Sequence, residues 1–254
     1  MGKRYMNKVK AKIIAFTTIM LFLTSINIHA KGETPMNQYH QTNEATMIKM
    51  KSKLPNSSEF EKFLKSGGQL VKQTEPDTKV WFALKGNDNS LMIFDAFYDS
   101  KGREAHFAGQ VANALKNNSE QLVLEGWENG VLKNIVNSKV LASKLPARSV
   151  QVTLANYIEF TANDGKSEQL AALLSNAAEI VDKTEPQTAF WFALQLNDNT
   201  FAIFDAFSDE SGQKAHFSGK VALSLKNHSE LLIKNGWEKG VLPHIKNLKV
   251  ITSI

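Results

Sequence analysis

Thr74-Glu75-Pro76, Trp81-Phe82-Ala83-Leu84 and Ile93-Phe94-Asp95-Ala96-Phe97 return as Thr184-Glu185-Pro186, Trp191-Phe192-Ala193-Leu194 and Ile203-Phe204-Asp205-Ala206-Phe207. The offset is 184 − 74 = 110, and it carries on from Ala105-His106-Phe107 to Ala215-His216-Phe217 and from Gly126-Trp127-Glu128 to Gly236-Trp237-Glu238. A register this long without an insertion is a duplication. It divides the chain into copies spanning 39–143 and 149–254.

Periodicity gives the plan of each copy. Val150, Val152, Leu154, Asn156, Ile158 and Phe160 alternate with mostly polar residues, which predicts a strand with one buried face. Leu170, Leu173, Leu174, Ala177 and Ile180-Val181 recur at three-to-four spacing, which predicts a helix over 167–181, stopped by Glu185-Pro186. Residues 190–194 and 201–207 read as two strands joined through Asn197-Asp198-Asn199, residues 211–225 as a second helix, and 248–251 as a last strand. Copy 1 follows the same plan from a first strand at 46–50. The order βαββαβ predicts an α+β fold of two tandem ferredoxin-like domains, each with helices over one sheet face. The other face is apolar too, so the copies are expected to pack sheet to sheet as an intrachain pair.

Lys3, Arg4, Lys8, Lys10 and Lys12 precede an apolar run from Ile13 to Leu23 that ends near Ala30, which predicts a signal peptide over 1–30 and a periplasmic or secreted protein. Without residues 1–30 the basic count is 30 − 5 = 25 against 25 acidic residues, so the high pI of about 9.2 belongs to that segment. A neutral chain offers no footprint for nucleic acid, and no membrane partner is expected after cleavage. With no cysteine, thiolate nucleophiles, disulfides and Cys-based metal sites are excluded. Phosphate loops, Gly-x-Ser-x-Gly elbows, metal-type His/Glu clusters and nucleotide fingerprints are likewise missing from the sequence.

The block Thr-Glu-Pro-x-Thr, Trp-Phe-Ala-Leu, Ile-Phe-Asp-Ala-Phe and Ala-His-Phe-x-Gly-x-Val-Ala resembles the antibiotic biosynthesis monooxygenase domain family in both copies. The resemblance implies a dimeric α/β-barrel of ferredoxin-like halves. It also implies, for some members, oxygenation of quinol-like or polyketide aromatics with no metal or flavin, so no cofactor is expected. A related branch degrades haem with an Asn, a Trp and a helix-borne His. Asn156 fits such an Asn, but Phe207 stands where that Trp would be and His216 comes too early. The function expected is cofactor-independent oxygenation of an electron-rich aromatic. The rival is a non-catalytic exported module that binds a small apolar ligand or oligomerises, and a homo-oligomer is left open.

Candidate site residues follow. His106 and His216 are proton carriers by virtue of an imidazole pKa near 6.5, or else helix-packing residues. Asp95 and Asp205 share a strand face with apolar neighbours. Facing the helices they would pair with the histidines, and facing the other way they would line a pocket as bases. Trp81, Trp191 and Phe207 are placed to flank an aromatic substrate or to fill the core, with His106 and Asp95 beside them. Trp127 and Trp237 are expected to plug a barrel end, and Glu75-Pro76 and Glu185-Pro186 read as turn chemistry. Only copy 2 has Asn156 and Tyr157, where copy 1 has Thr46 and Met47, so with His216 and Asp205 they are assigned a catalytic site in copy 2.

Overall fold

The computed structural model describes residues 42–53, 58–88 and 90–254. The expected signal peptide lies outside the described residues. Copy 1 comprises β1 (Glu44–Lys51), α1 (Ser58–Thr74), β2 (Thr78–Gly86), β3 (Ser90–Phe97), α2 (Ser100–Phe107), α3 (Gln110–Leu122) and β4 (Ile135–Lys144). Copy 2 repeats it with β5 (Leu154–Thr161), α4 (Ser167–Ser175), α5 (Ala177–Thr184), β6 (Thr188–Gln195), β7 (Thr200–Phe207), α6 (Glu210–Phe217), α7 (Lys220–Leu232), a short α8 (Gly236–Gly240) and β8 (Ile245–Ser253).

The expected elements are present, with three differences that have local causes. The single helix expected over 211–225 is two, because Gly219 is extended at the start of α7, as Gly109 is at the start of α3. The helix expected over 167–181 divides at Asn176, whose Nδ2 donates to the Ala172 carbonyl at 2.9 Å and competes with the helical ladder. The first strand of copy 2 starts at Leu154 rather than Val150, where pairing with Phe207 of β7 begins.

The strands close into an antiparallel barrel in the order β1-β3-β2-β8-β5-β7-β6-β4. The apolar sheet faces do meet, as expected, but the sheets are also joined at both edges. β8 of copy 2 pairs with β2 of copy 1, and β4 of copy 1 pairs with β6 of copy 2. Among the described residues, closure leaves no unpaired strand edge in either half. The repeat offset moves every strand four places round the ring, so the copies are related by a pseudo-twofold axis along the barrel.

Alternation decides which side chains fill the barrel. Met47, Phe82, Met92, Phe94, Tyr157, Phe192 and Phe204 point inward and are buried together. Phe94 and Phe204, equivalent residues, stack at 4.0 Å, and each meets the other copy's Phe192 or Phe82 edge-on at 5.1 Å. On the outer face each helix layer has its own core, completed by the other copy: Ile251 and Ile254 pack into copy 1, and Leu141 and Ala142 into copy 2.

At one mouth of the barrel Lys49 Nζ lies 3.0 Å from Glu159 Oε2 and 4.9 Å from the Tyr157 ring centroid. These two charges occupy equivalent repeat positions (159 − 49 = 110), where a barrel of two identical halves would juxtapose like charges. Both side chains are partly exposed, so the pair itself is weak. Lys49→Glu should nevertheless lower the melting temperature by about 2–4 °C, the equivalent of about 1 kcal/mol for a chain of this size, and adding Glu159→Lys should restore it. A double variant no more stable than the single one would show that the two charges do not interact.

Candidate active site

Outward-facing residues of β3 and β7 lie under the helices, and this settles the orientation that the sequence left open. Asp95 and Asp205 face the helix layer and are fully buried. His106, in the last turn of α2, lies with Nε2 3.4 Å from Asp95 Oδ2 and Nδ1 2.5 Å from Glu75 Oε2. Copy 2 repeats this, with His216 Nε2 3.2 Å from Asp205 Oδ2 and Nδ1 2.5 Å from Glu185 Oε2. Each copy therefore buries a Glu–His–Asp triad.

The glutamates are the functional residues that the sequence reading missed. Glu75-Pro76 and Glu185-Pro186 do end their helices, but the carboxylates turn inward to hold the imidazoles. The rest of the motif serves that contact. Thr78 Oγ1 donates to Glu75 Oε2 at 3.2 Å. Gly109 leaves the space that Glu75 fills, since a Cβ there would lie 2.6 Å from Glu75 Oε1. Asp99 and Asp209 start α2 and α6 by accepting from Gly102 N and Gly212 N, both at 3.0 Å, which sets the histidines at the same height as the acids. Thr-Glu-Pro-x-Thr and Ala-His-Phe-x-Gly, a turn and a helix end in sequence, are two halves of one buried ion cluster.

Burial by itself would push the His106 pKa down. The hydrogen bonds and charges of Asp95 and Glu75 outweigh it and raise the pKa from 6.5 to about 9. His216 is raised to about 9 in the same way, against its burial, by Asp205 and Glu185. Both imidazoles therefore hold their proton at neutral pH, which suits a proton donor or a positive charge beside the carboxylates. Burial holds the Asp95 carboxyl above its ordinary range, an effect that His106 moderates.

The two sites differ where copies 1 and 2 differ in sequence. In copy 2, Asn156 Nδ2 donates to Asp205 Oδ1 at 2.8 Å, and Gln213 Nε2 donates to Asn156 Oδ1 at 2.7 Å. Lys144, reaching over from β4 of copy 1, donates to the Glu185 carbonyl at 3.0 Å. In copy 1, Thr46 replaces Asn156 and gives its proton to Asn137 Oδ1 at 3.1 Å. Neither Asp95 oxygen is left with a well-aligned hydrogen bond. Ile254 stands where copy 2 has Lys144.

A further expectation is overturned by the strand period. Tyr157 follows Asn156 directly, so it points to the opposite face, into the barrel. Its hydroxyl approaches Glu159 Oε2 at 3.4 Å, and burial raises its pKa, so it takes no part with His216. Phe207 lies under the helices with its ring centroid 5.5 Å from that of His216. Trp81 and Trp191 are fully buried against the helix layers, each with an indole Nε1 that has no hydrogen-bond partner. Trp127 and Trp237 do not plug the barrel. They pack on the helix layers, because the turns that carry them run along the outer side.

In copy 1 a cavity of about 30 Å³ opens between sheet and helices, walled by Trp81, Ile93, His106, Phe107, Phe63 and Trp127 among others. Ile93 and His106 are the neighbours of Asp95, along its strand and across from it. Among the described residues no group of three or more His, Cys, Asp or Glu is arranged to hold a metal ion.

No protein-family profile and no curated protein matches the chain. Solved structures do. A candidate monooxygenase from Fusobacterium nucleatum superposes with a TM-score of 0.69 at 15% identity, over 84% of this chain and 94% of its own. One from Lactobacillus acidophilus gives 0.69 at 11% identity, over 84% and 95%. The fold is that of these two structures, an α/β-barrel, here made by two tandem ferredoxin-like copies in one chain.

Proposed function

We propose that the chain is an exported monooxygenase-like protein that takes a small electron-rich aromatic, such as a hydroquinone, under the helix layer of copy 1. The observation that carries the reading is Asp95, a buried carboxylate without well-aligned hydrogen bonds, 3.4 Å behind His106, which lines a cavity whose wall is otherwise nearly all carbon. Such a carboxylate is a stronger base than one in water. It removes the proton from a phenolic O–H, the electron pair stays on the substrate oxygen, and the resulting anion gives one electron to dioxygen. The radical pair combines in a C–O bond to a ring carbon, the O–O bond then breaks, one oxygen stays on the ring as a quinone oxygen and the other leaves as water. The His106 cation stabilises negative charge beside it, and the dry surroundings strengthen that effect.

The differences between the copies favour copy 1 over the copy 2 site expected from sequence. Asn156, itself held by Gln213, donates to Asp205 Oδ1, so one oxygen of that carboxylate is already engaged, as neither Asp95 oxygen is. The cavity is far below the roughly 150 Å³ that admits benzene, so a ring enters by displacing the partly exposed Phe63, Phe107 and Trp127. That small volume favours the second reading, a binder of small apolar ligands without turnover. Oxygen uptake with a panel of hydroquinones separates the two. Asp95→Asn should lose at least about 100-fold in uptake and Asp205→Asn little. Ligand binding without uptake would replace the enzyme reading with the binding one. Export is tested by the mass of the secreted chain, expected to begin at Lys31.

A further inference from the structure

α1 contains Gly67-Gly68 in its interior, where glycine is less favourable to a helix than alanine. Gly68 has a packing reason. A Cβ there would lie 3.0 Å from Thr252 Cγ2 and 3.1 Å from Trp81 Cζ3. Gly67 has a weaker one. Its Cβ would meet the movable Val111 Cγ2 at 3.2 Å and the Trp81 ring only at 3.8 Å. Copy 2 has Ala177-Ala178 in the same places, both buried and accommodated. What the missing methyl of Gly67 leaves is part of the cavity beside His106.

The cavity's volume of about 30 Å³ is roughly twice what one water-sized sphere needs. Water is a poor occupant, because it requires two to four polar partners. The wall's polar side chains are His106, whose ring nitrogens already face Glu75 and Asp95, and the indoles of Trp81 and Trp127, which can donate one N–H each and accept nothing. An apolar molecule of two heavy atoms matches both the volume and the carbon lining. We propose that this cavity is a binding site for dioxygen, kept open by Gly67 and present in copy 1 in preference to copy 2. The assignment rests on the oxygenation reading for the identity of the gas, and on the geometry for the site. It places the oxidant against Ile93 and His106, near the carboxylate that would deprotonate the substrate, and leaves to the ring the space opened by displacing Phe63, Phe107 and Trp127.

Dissolved oxygen is paramagnetic and speeds the relaxation of methyl groups that it visits, so the folded full chain can be tested without turnover. Under oxygen pressure the methyls of Ile48, Ile93 and Val111 should relax severalfold faster than those of their counterparts Ile158, Ile203 and Val221. Gly67→Ala, a residue that copy 2 already tolerates, should remove the excess, and Ala177→Gly should create one in copy 2. Equal enhancement in the two copies, or an excess that survives in folded Gly67→Ala, would overturn the proposal. If Gly67→Ala does not fold, the Ala177→Gly variant decides, and no gain in copy 2 overturns it. A localised oxygen signal with no hydroquinone-dependent uptake leaves the site standing while the enzyme reading fails. Uptake with evenly spread relaxation does the reverse.

Discussion

The His216→Ala variant is expected to lose about 3–5 kcal/mol of folding stability, the range for removing one partner of a buried ion cluster. Among the described residues the histidine is the one cation that bridges Glu185 and Asp205, and both carboxylates are buried. Truncation leaves two negative charges in a site that water cannot reach, and a cavity where the ring stood. Asn156 still donates to Asp205, so the aspartate is not stranded, but Glu185 Oε2 retains only the weak contact from Thr188 at 3.5 Å. Urea denaturation of the variant measures the loss directly. A second substitution, Asp205→Asn, should recover part of it by removing one of the two repelling charges. A loss below about 1 kcal/mol would mean that the triad is relaxed by water and contributes little to folding.

A second large effect is expected in the pH dependence of stability. His106 and His216 have folded pKa values of about 9 against 6.5 for the free side chain. A raised pKa means that the folded state holds the proton more tightly than the unfolded state. The stabilisation is therefore complete below pH 6.5 and lost as pH rises through about 9. Each histidine contributes on the order of 3 kcal/mol by the size of its shift, so stability should fall by several kcal/mol between these limits. Asp95, also raised, adds in the same direction at lower pH. Denaturation curves at pH 6.5, 8 and 9 test it. A flat profile would place the histidines as neutral in the folded state, and His216→Ala should flatten half of the slope if the assignment is right.

How much of this was legible in the sequence follows from which forces act locally. The repeat, the strands and the apolar residues that share a strand face with Asp95 were readable, because duplication preserves spacing and a strand alternates with a period of two, but which way that face points was not. The Asp–His pairing could be reached from the similar heights of residues 95 and 106. Glu75 could not, since its position before a proline has a sufficient local explanation and its partner is 31 residues away. A usable signal was present: the same Glu, Thr, His and Gly are kept in both copies, and four polar or backbone-special residues kept together suggest a shared contact. Tyr157 was misplaced by treating neighbours in sequence as neighbours in space, which the strand period forbids. The exchange of β4 and β8 between halves is settled by closing the barrel and leaves no mark on the pattern of either strand.

That exchange has a bearing on the order in which the chain can become folded. β2 lies near the start of copy 1, and its outer edge is completed by β8, the last strand described. As the polypeptide emerges from the ribosome, the first copy can assemble β1, β3 and β2 but must keep that edge bare until residues 245–253 have been made. Ile251 and Ile254, which close the apolar layer behind Trp81, arrive at the same moment. The leading half is thus held unfinished by the trailing end, with loop-closure entropy delaying its final contacts. Such a chain commits to its native state late and as a whole, and a truncated product shorter by ten residues would expose both a sheet edge and an oily seam.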